Sequence, residues 1–147
     1  MRDCSRRDFG RMMVAAGLAG VLPAAAGAQA AGGSGLAIDE GLFAQINGME
    51  QWITIRGRNP RNPAMLLLHG GPGIPMSFMA PAFAAWEAHF TLVQWDQPAG
   101  GATFQKNETR GHGPLTVERY VNDAIAVAEW VRARLGVGKL VLLGSSW

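Results

Sequence analysis

From Leu42 to Gly144 the apolar positions switch between a two-residue and a helical period. Leu42 to Ile46 and Met49 to Ile55 flank the dipeptide Asn47-Gly48. Asn-Gly tolerates the positive φ angles of a tight turn, and Trp52, Ile53, Thr54 and Ile55 favour extended backbone, so this stretch predicts a β-hairpin. Arg56 to Pro63 reads as a loop, with Arg56, Arg58 and Arg61 solvated beside Pro60 and Pro63. Ala64 to Leu68 is a continuous apolar run, the pattern of a strand covered on both faces. Pro81 to His89 predicts a short helix with proline in its first turn. Phe90 to Trp95 predicts another strand, and Asp96 to Leu115 a long polar, glycine-rich loop. Thr116 can cap a helix over Val117–Leu135, and Gly136 suits its end. Val117, Val121, Ala124, Ala128, Val131 and Leu135 fall on one face of it. Lys139 to Leu143 predicts a last buried strand. After the hairpin the order is strand, helix, strand, helix, strand, which is α/β with a largely parallel sheet.

The first thirty residues follow another logic. Arg2, Arg6, Arg7 and Arg11 make a positive start, Met12 to Leu22 is apolar and uncharged, and Ala28-Gln29-Ala30 is a small-residue cleavage site. That is the order of an export signal, with Ala31 as the first mature residue and 31–41 as a linker to a domain over 42–147. A membrane anchor is disfavoured, because spanning a bilayer takes about 20 apolar residues and this run is shorter. Ser5-Arg6-Arg7-Asp8-Phe9 resembles the twin-arginine motif, which implies folding before export and passage through the twin-arginine machinery. Gly10 departs from that motif, so an ordinary general-export signal is the alternative. Either route leads to the periplasm or the exterior.

Charge narrows the partners. The chain holds 13 basic and 11 acidic residues; the first thirty contain four arginines and two aspartates of these, leaving nine of each sign. A mature chain with no net charge gives no reason to expect nucleic acid. The one cysteine, Cys4, precedes the apolar run, so the mature part has no disulfide or thiolate site. His69, His89 and His112 show no metal-ligand spacing, and no metal or cofactor is called for.

Two turns carry candidate chemistry. His69-Gly70-Gly71-Pro72-Gly73 follows the strand ending at Leu68. Acyl transfer puts negative charge on a carbonyl oxygen, and a glycine loop lets backbone N–H groups approach it. Gly144-Ser145-Ser146-Trp147 follows the last strand and matches four residues of a Gly-x-Ser-x-Gly nucleophile elbow, with Gly144 as the small residue two before Ser146. Ser145 sits at the variable position. Asp96 and Gln97 end the intervening strand.

In this order, the three motifs resemble the prolyl iminopeptidase branch of the α/β-hydrolases, over about Leu42 to Trp147. The resemblance implies the N-terminal portion of an α/β-hydrolase fold, truncated at the elbow. It makes Ser146 the nucleophile, and Gly71 and Trp147 the oxyanion donors. His69 becomes a loop-shaping residue rather than a base; Asp96 and Gln97 become structural. It places the catalytic acid and histidine in later segments, so the chain is expected to be an inactive fragment of a cofactor-free serine hydrolase acting on a short peptide or an ester. One departure stands out. The family motif Asp-Gln-Arg-Gly continues here as Pro98-Ala99-Gly100-Gly101, which leaves a related esterase or amidase open. A non-catalytic product is the rival from another class. Its sheet would end on an apolar strand edge, which predicts aggregation.

Overall fold

The structure is a computed structural model that describes residues 35–108 and 113–146. The expected signal segment and Trp147 and His112 lie outside the described residues.

A five-stranded mixed sheet organises the chain. Its strands are β1 (Ile38–Ile46), β2 (Met49–Gly57), β3 (Ala64–Leu68), β4 (Thr91–Asp96) and β5 (Val141–Gly144), in the spatial order β1-β2-β4-β3-β5. β1, β2 and β4 pair antiparallel; β4, β3 and β5 pair parallel. The expected hairpin is present. Asn47 and Gly48 take φ values of 47° and 82°, the left-handed pair that a two-residue hairpin needs.

β1 starts at Ile38, so Ile38 to Gly41 belong to the sheet and not to the linker predicted over 31–41. Charges disguised this end. Asp39 pairs with Arg56 at 2.8 Å and Glu40 with Arg134 at 2.8 Å. Gly41 leaves room for the ring of Trp52, diagonally across on β2; a Cβ there would sit 2.7 Å from it. Arg56 is therefore a strand residue rather than part of a solvated loop, and it also binds the buried Glu87 at 2.9 Å.

The parallel part needs crossovers. β3 reaches β4 through two short 3-10 turns, Ser77–Phe83 and Trp86–Ala88, where one helix over Pro81–His89 was expected. Pro81 lies inside the first turn, and the bonds that form are the tighter i→i+3 kind: Ala84 N–H to Pro81 O and His89 N–H to Trp86 O. The predicted loop after β4 contains a helix, α1 (Gly101–Asn107). Its start is hidden by glycines, and it is capped from a distance, by Asp96 Oδ2 accepting from Ala102 N–H at 2.9 Å.

α2 (Val117–Leu135) has the predicted bounds. Thr116 Oγ1 accepts from Arg119 N–H at 3.2 Å, a cap contributing about 1 kcal/mol, and Gly136 closes the helix at φ 65°. Most of the predicted face is buried, with Ala124, Ala128, Val131 and Leu135 in or against the core. Val127 and Val131 reach the core with Ile53, Ile55, Leu66, Val93 and Trp95, while Val117 and Val121 remain 60% and 51% exposed. The first turns direct Tyr120 and Asp123 inward instead. Asp123 is fully buried and accepts from Asn47 Nδ2 (2.7 Å), Gln51 Nε2 (3.0 Å) and Arg119 Nε (2.9 Å). Gln51 Oε1 in turn accepts from Trp95 Nε1 at 2.7 Å, so one polar network joins the hairpin, β4 and α2. The opposite sheet face packs Met65, Leu67 and Leu92 against Phe83 and Phe90. β5 begins at Val141, two residues later than expected, and is exposed rather than buried.

Candidate active site

β3, β4 and β5 run parallel, so their C-terminal ends lie side by side and present three turns along one edge of the sheet. This is where open α/β sheets place their ligands. Ser145 N–H donates to Leu68 O at 3.1 Å, adding one more bond to the β3–β5 ladder beyond Gly144. The chain then turns sharply, with Ser146 at φ 59°. A residue with a Cβ loses about 1 kcal/mol or more in the left-handed region and stays there only where the surroundings dictate it.

The glycine loop after β3 presses on that turn. A Cβ built on Gly70 would lie 2.9 Å from both Ser145 O and Ser146 Cβ, and 3.5 Å from Ser146 Oγ. The crowding expected at Gly144 is absent among the described residues, where a Cβ on Gly144 would meet nothing within 4 Å. Gly70 is the residue whose smallness the contact requires. Gly71 and Pro72 continue the loop through a cis peptide bond. Gly73, at φ 83°, approaches the turn after β4, where a Cβ would meet Ala99 O at 3.0 Å.

His69 joins the β3 and β4 turns. It is 2% exposed, and both ring nitrogens are engaged. Nε2 lies 3.1 Å from Gln97 N, and Nδ1 lies 2.6 Å from Gly70 O. A backbone N–H can only donate and a carbonyl can only accept, so the ring is neutral with its proton on Nδ1. Burial holds the His69 pKa below the usual 6.5, against the opposing pulls of the Gly70 carbonyl and the Asp96 carboxylate. Gln97 Nε2 also donates to His69 O at 2.9 Å. With no open nitrogen, His69 is not a general base.

Asp96 is buried at the end of β4. Besides capping α1, it accepts at its main-chain oxygen from Thr103 Oγ1 at 2.5 Å; that hydroxyl accepts from Trp52 N–H at 2.8 Å. A Cβ on Gly101 would overlap Asp96 Oδ2, so α1 can start there only with glycine. Asp96 and Gln97 thus tie the turn together.

An open cleft of about 290 Å³ lies beside Ser146, walled by Leu68, His69, Trp95, Gln97 and Tyr120 and by the exposed start of α2. Tyr120 was not singled out from the sequence. Its hydroxyl donates to Pro98 O at 3.0 Å and pins the β4 turn to α2. Burial raises its pKa, the nearby Asp123 carboxylate adds to this, and Arg119 opposes it. The signal for both inward polar residues was the spacing of Tyr120, Asp123 and Val127 along one helix face. His89 ends a 3-10 turn in an exposed position, away from this cleft. Gly71, His69, Gly70, Asp96, Gln97 and Ser146 are brought to one sheet edge; the expected second donor, Trp147, lies outside the described residues.

The fold has counterparts in known proteins. YbaC, a probable aminopeptidase of Bacillus subtilis (strain 168), is 35% identical over 103 residues, covering 69% of this chain and 32% of that protein. The crystal structure of a proline iminopeptidase-related protein from Thermus thermophilus matches 72% of this chain and 35% of its own, with a TM-score of 0.57 and 25% identity. The chain belongs to the α/β-hydrolase superfamily. A Vigna radiata epoxide hydrolase variant, at 22% identity, TM-score 0.50, 74% of this chain and 31% of that one, shares the hydrolase fold. No protein-family model matches the chain. The chain spans about a third of the length of these hydrolase relatives.

Proposed function

We propose that the complete gene product is an exported serine hydrolase that cleaves an amide or ester through an acyl-enzyme, with aminopeptidase activity of the prolyl iminopeptidase kind as the leading reading. One observation carries it: Ser146 is held at φ 59° at a strand end with the Gly70 backbone packed against it. A strained serine facing a glycine loop is the arrangement of an α/β-hydrolase nucleophile elbow and its oxyanion loop. Ser146 Oγ would attack the carbonyl carbon, and a histidine supplied by another segment would take its proton while an acid orients that histidine. The N–H groups of Gly71 and Trp147 would hold the oxyanion, each contributing about 3 kcal/mol. The acyl-enzyme would then be hydrolysed by water, with no cofactor.

The likeness to a probable aminopeptidase supports the peptidase reading. Pro98, standing where the family motif has arginine, supports the esterase or amidase alternative. The arginine-rich, apolar first thirty residues support export, and the acid and base are assigned to segments outside 35–146. A fluorophosphonate probe should label the complete gene product, and Ser146→Ala should abolish the labelling. Labelling that survives the substitution would move the nucleophile elsewhere. Relative rates on a proline anilide and a short-chain ester then separate the two substrate readings.

A further inference from the structure

The oxyanion loop is made of glycines, which hold no conformation by themselves. Something must fix the direction in which the Gly71 N–H points. Gly70 and Gly71 share one planar trans peptide unit, since the cis bond lies one residue later. In such a unit the C=O and the N–H point in opposite directions. Whatever grips the Gly70 carbonyl therefore also sets the Gly71 N–H, and His69 Nδ1 grips it at 2.6 Å.

We propose that His69 is a positioning residue that works only as the neutral Nδ1–H tautomer, orienting the Gly71 N–H by clamping the Gly70 carbonyl while Gln97 N–H locks the ring through Nε2. The proposal rests on the reading of Ser146 as nucleophile and Gly71 as oxyanion donor. It adds a proton-dependent step to that reading. A protonated ring has no lone pair at Nε2, so it would set an N–H against the Gln97 N–H 3.1 Å away. The ring would leave its place and release the Gly70–Gly71 peptide. The Gln97 turn has its own support in the Tyr120 Oη bond to Pro98 O, so it is the histidine that yields. The groups facing His69 are the Asp96 carboxylate at the end of β4, the Tyr120 phenol from α2 and the Ser146 hydroxyl after β5. Among the described residues, no lysine or arginine lines this cleft. Burial lowers the His69 pKa, which favours the closed clamp at neutral pH, and protonation opens it only as the pH falls below that lowered value.

Two substitutions divide the ring's functions. In His69→Asn the side-chain amide can occupy the Nδ1 position and donate to Gly70 O, and it does not titrate. In His69→Gln the side chain reaches the Nε2 position and meets Gln97 N–H but not Gly70 O. The complete gene product and both variants are assayed for kcat and KM across pH. Because the oxyanion exists only beyond the ground state, His69→Gln should lower kcat by about 10²–10³-fold with KM little changed. His69→Asn should keep kcat within about tenfold of the wild type at neutral pH. The acid side of the wild-type kcat profile should fall with a slope of two, one proton for the triad histidine and one for His69, and His69→Asn should reduce it to one. Equal losses in the two variants, or a slope of two retained in His69→Asn, would overturn the clamp. Should either variant misfold, the imidazole ¹⁵N shifts of the wild type decide: a proton on Nε2, or on both nitrogens, at neutral pH overturns it. Fluorophosphonate labelling in the Ser146→Ala background keeps the two claims apart. Labelling that depends on Ser146 while the histidine variants behave alike sinks only the clamp; labelling that ignores Ser146 sinks the underlying reading.

Discussion

Replacing Gly70 with alanine tests the contact on which the site depends. Gly70 is not among the residues with positive φ, so alanine meets no backbone penalty there. The perturbation is purely steric. The new Cβ would stand 2.9 Å from Ser145 O and from Ser146 Cβ, where ordinary contacts begin at 3.4 Å. Both neighbours belong to the backbone turn or are bonded to it, so no flexible side-chain end can swing away. The loop and the elbow must separate by at least about 0.5 Å, the amount by which 2.9 Å falls short of 3.4 Å. A misplacement of 1 Å can lower a rate about 10²-fold, so a shift of half that to its full size predicts roughly a 10- to 100-fold slower acylation. That corresponds to about 1.4–2.7 kcal/mol of barrier. The assay is the second-order rate of fluorophosphonate labelling of the complete gene product, read beside its thermal unfolding. Gly138→Ala is the control, since a Cβ there meets nothing within 4 Å. A Gly70→Ala protein that labels at the wild-type rate with an unchanged melting temperature would show that loop and elbow do not touch as described.

Acid should destabilise the folded protein through His69. Its pKa is lowered by folding, so the unfolded chain binds a proton that the folded one resists; stability is complete above the unfolded value of about 6.5 and falls as the pH drops below it. Urea unfolding of wild type and His69→Asn at about pH 7.5 and about pH 5 should show a smaller pH dependence in the variant, and identical dependences would refute this. Asp123→Ala removes a fully buried acceptor shared by Asn47, Gln51 and Arg119, so a loss of about 1–3 kcal/mol is expected in urea unfolding, and a loss under about 0.5 kcal/mol would contradict the network. The 147-residue chain by itself exposes Val141, Leu142 and Leu143 on a strand that, among the described residues, pairs only with β3, so it is expected to aggregate; a soluble monomer that unfolds cooperatively would be the contrary result.

What the sequence made legible was what local chemistry decides. Asn47-Gly48 can turn a hairpin unaided, the Ala64–Leu68 run can only be buried, and Thr116 and Gly136 mark the ends of α2 by their own hydrogen-bonding and φ preferences. The errors fall where a distant partner decides. Ile38 to Gly41 looked like linker because Asp39 and Glu40 find their arginines across the sheet and on α2. α1 looked like loop because its cap, Asp96, sits five residues before its first residue. The burial of Asp123 in a helix otherwise read by its valines needed donors from the hairpin.

The site divides in the same way, and the division says what kind of site it is. The motif spacing was enough to bring Ser146, Gly70, Gly71 and His69 together, because parallel strands deliver their C-terminal ends to one edge whatever the side chains between them. The elbow pattern points to Gly144; among the described residues the close contact falls on Gly70, set by how closely the β3 turn approaches the β5 turn. Pro98, where the resembled motif has arginine, fits the same view. The β4 turn is held here by Asp96 on Ala102 N–H, Gln97 on both sides of the His69 peptide and ring, and Tyr120 on Pro98 O. With those bonds in place, the turn keeps its shape without a guanidinium.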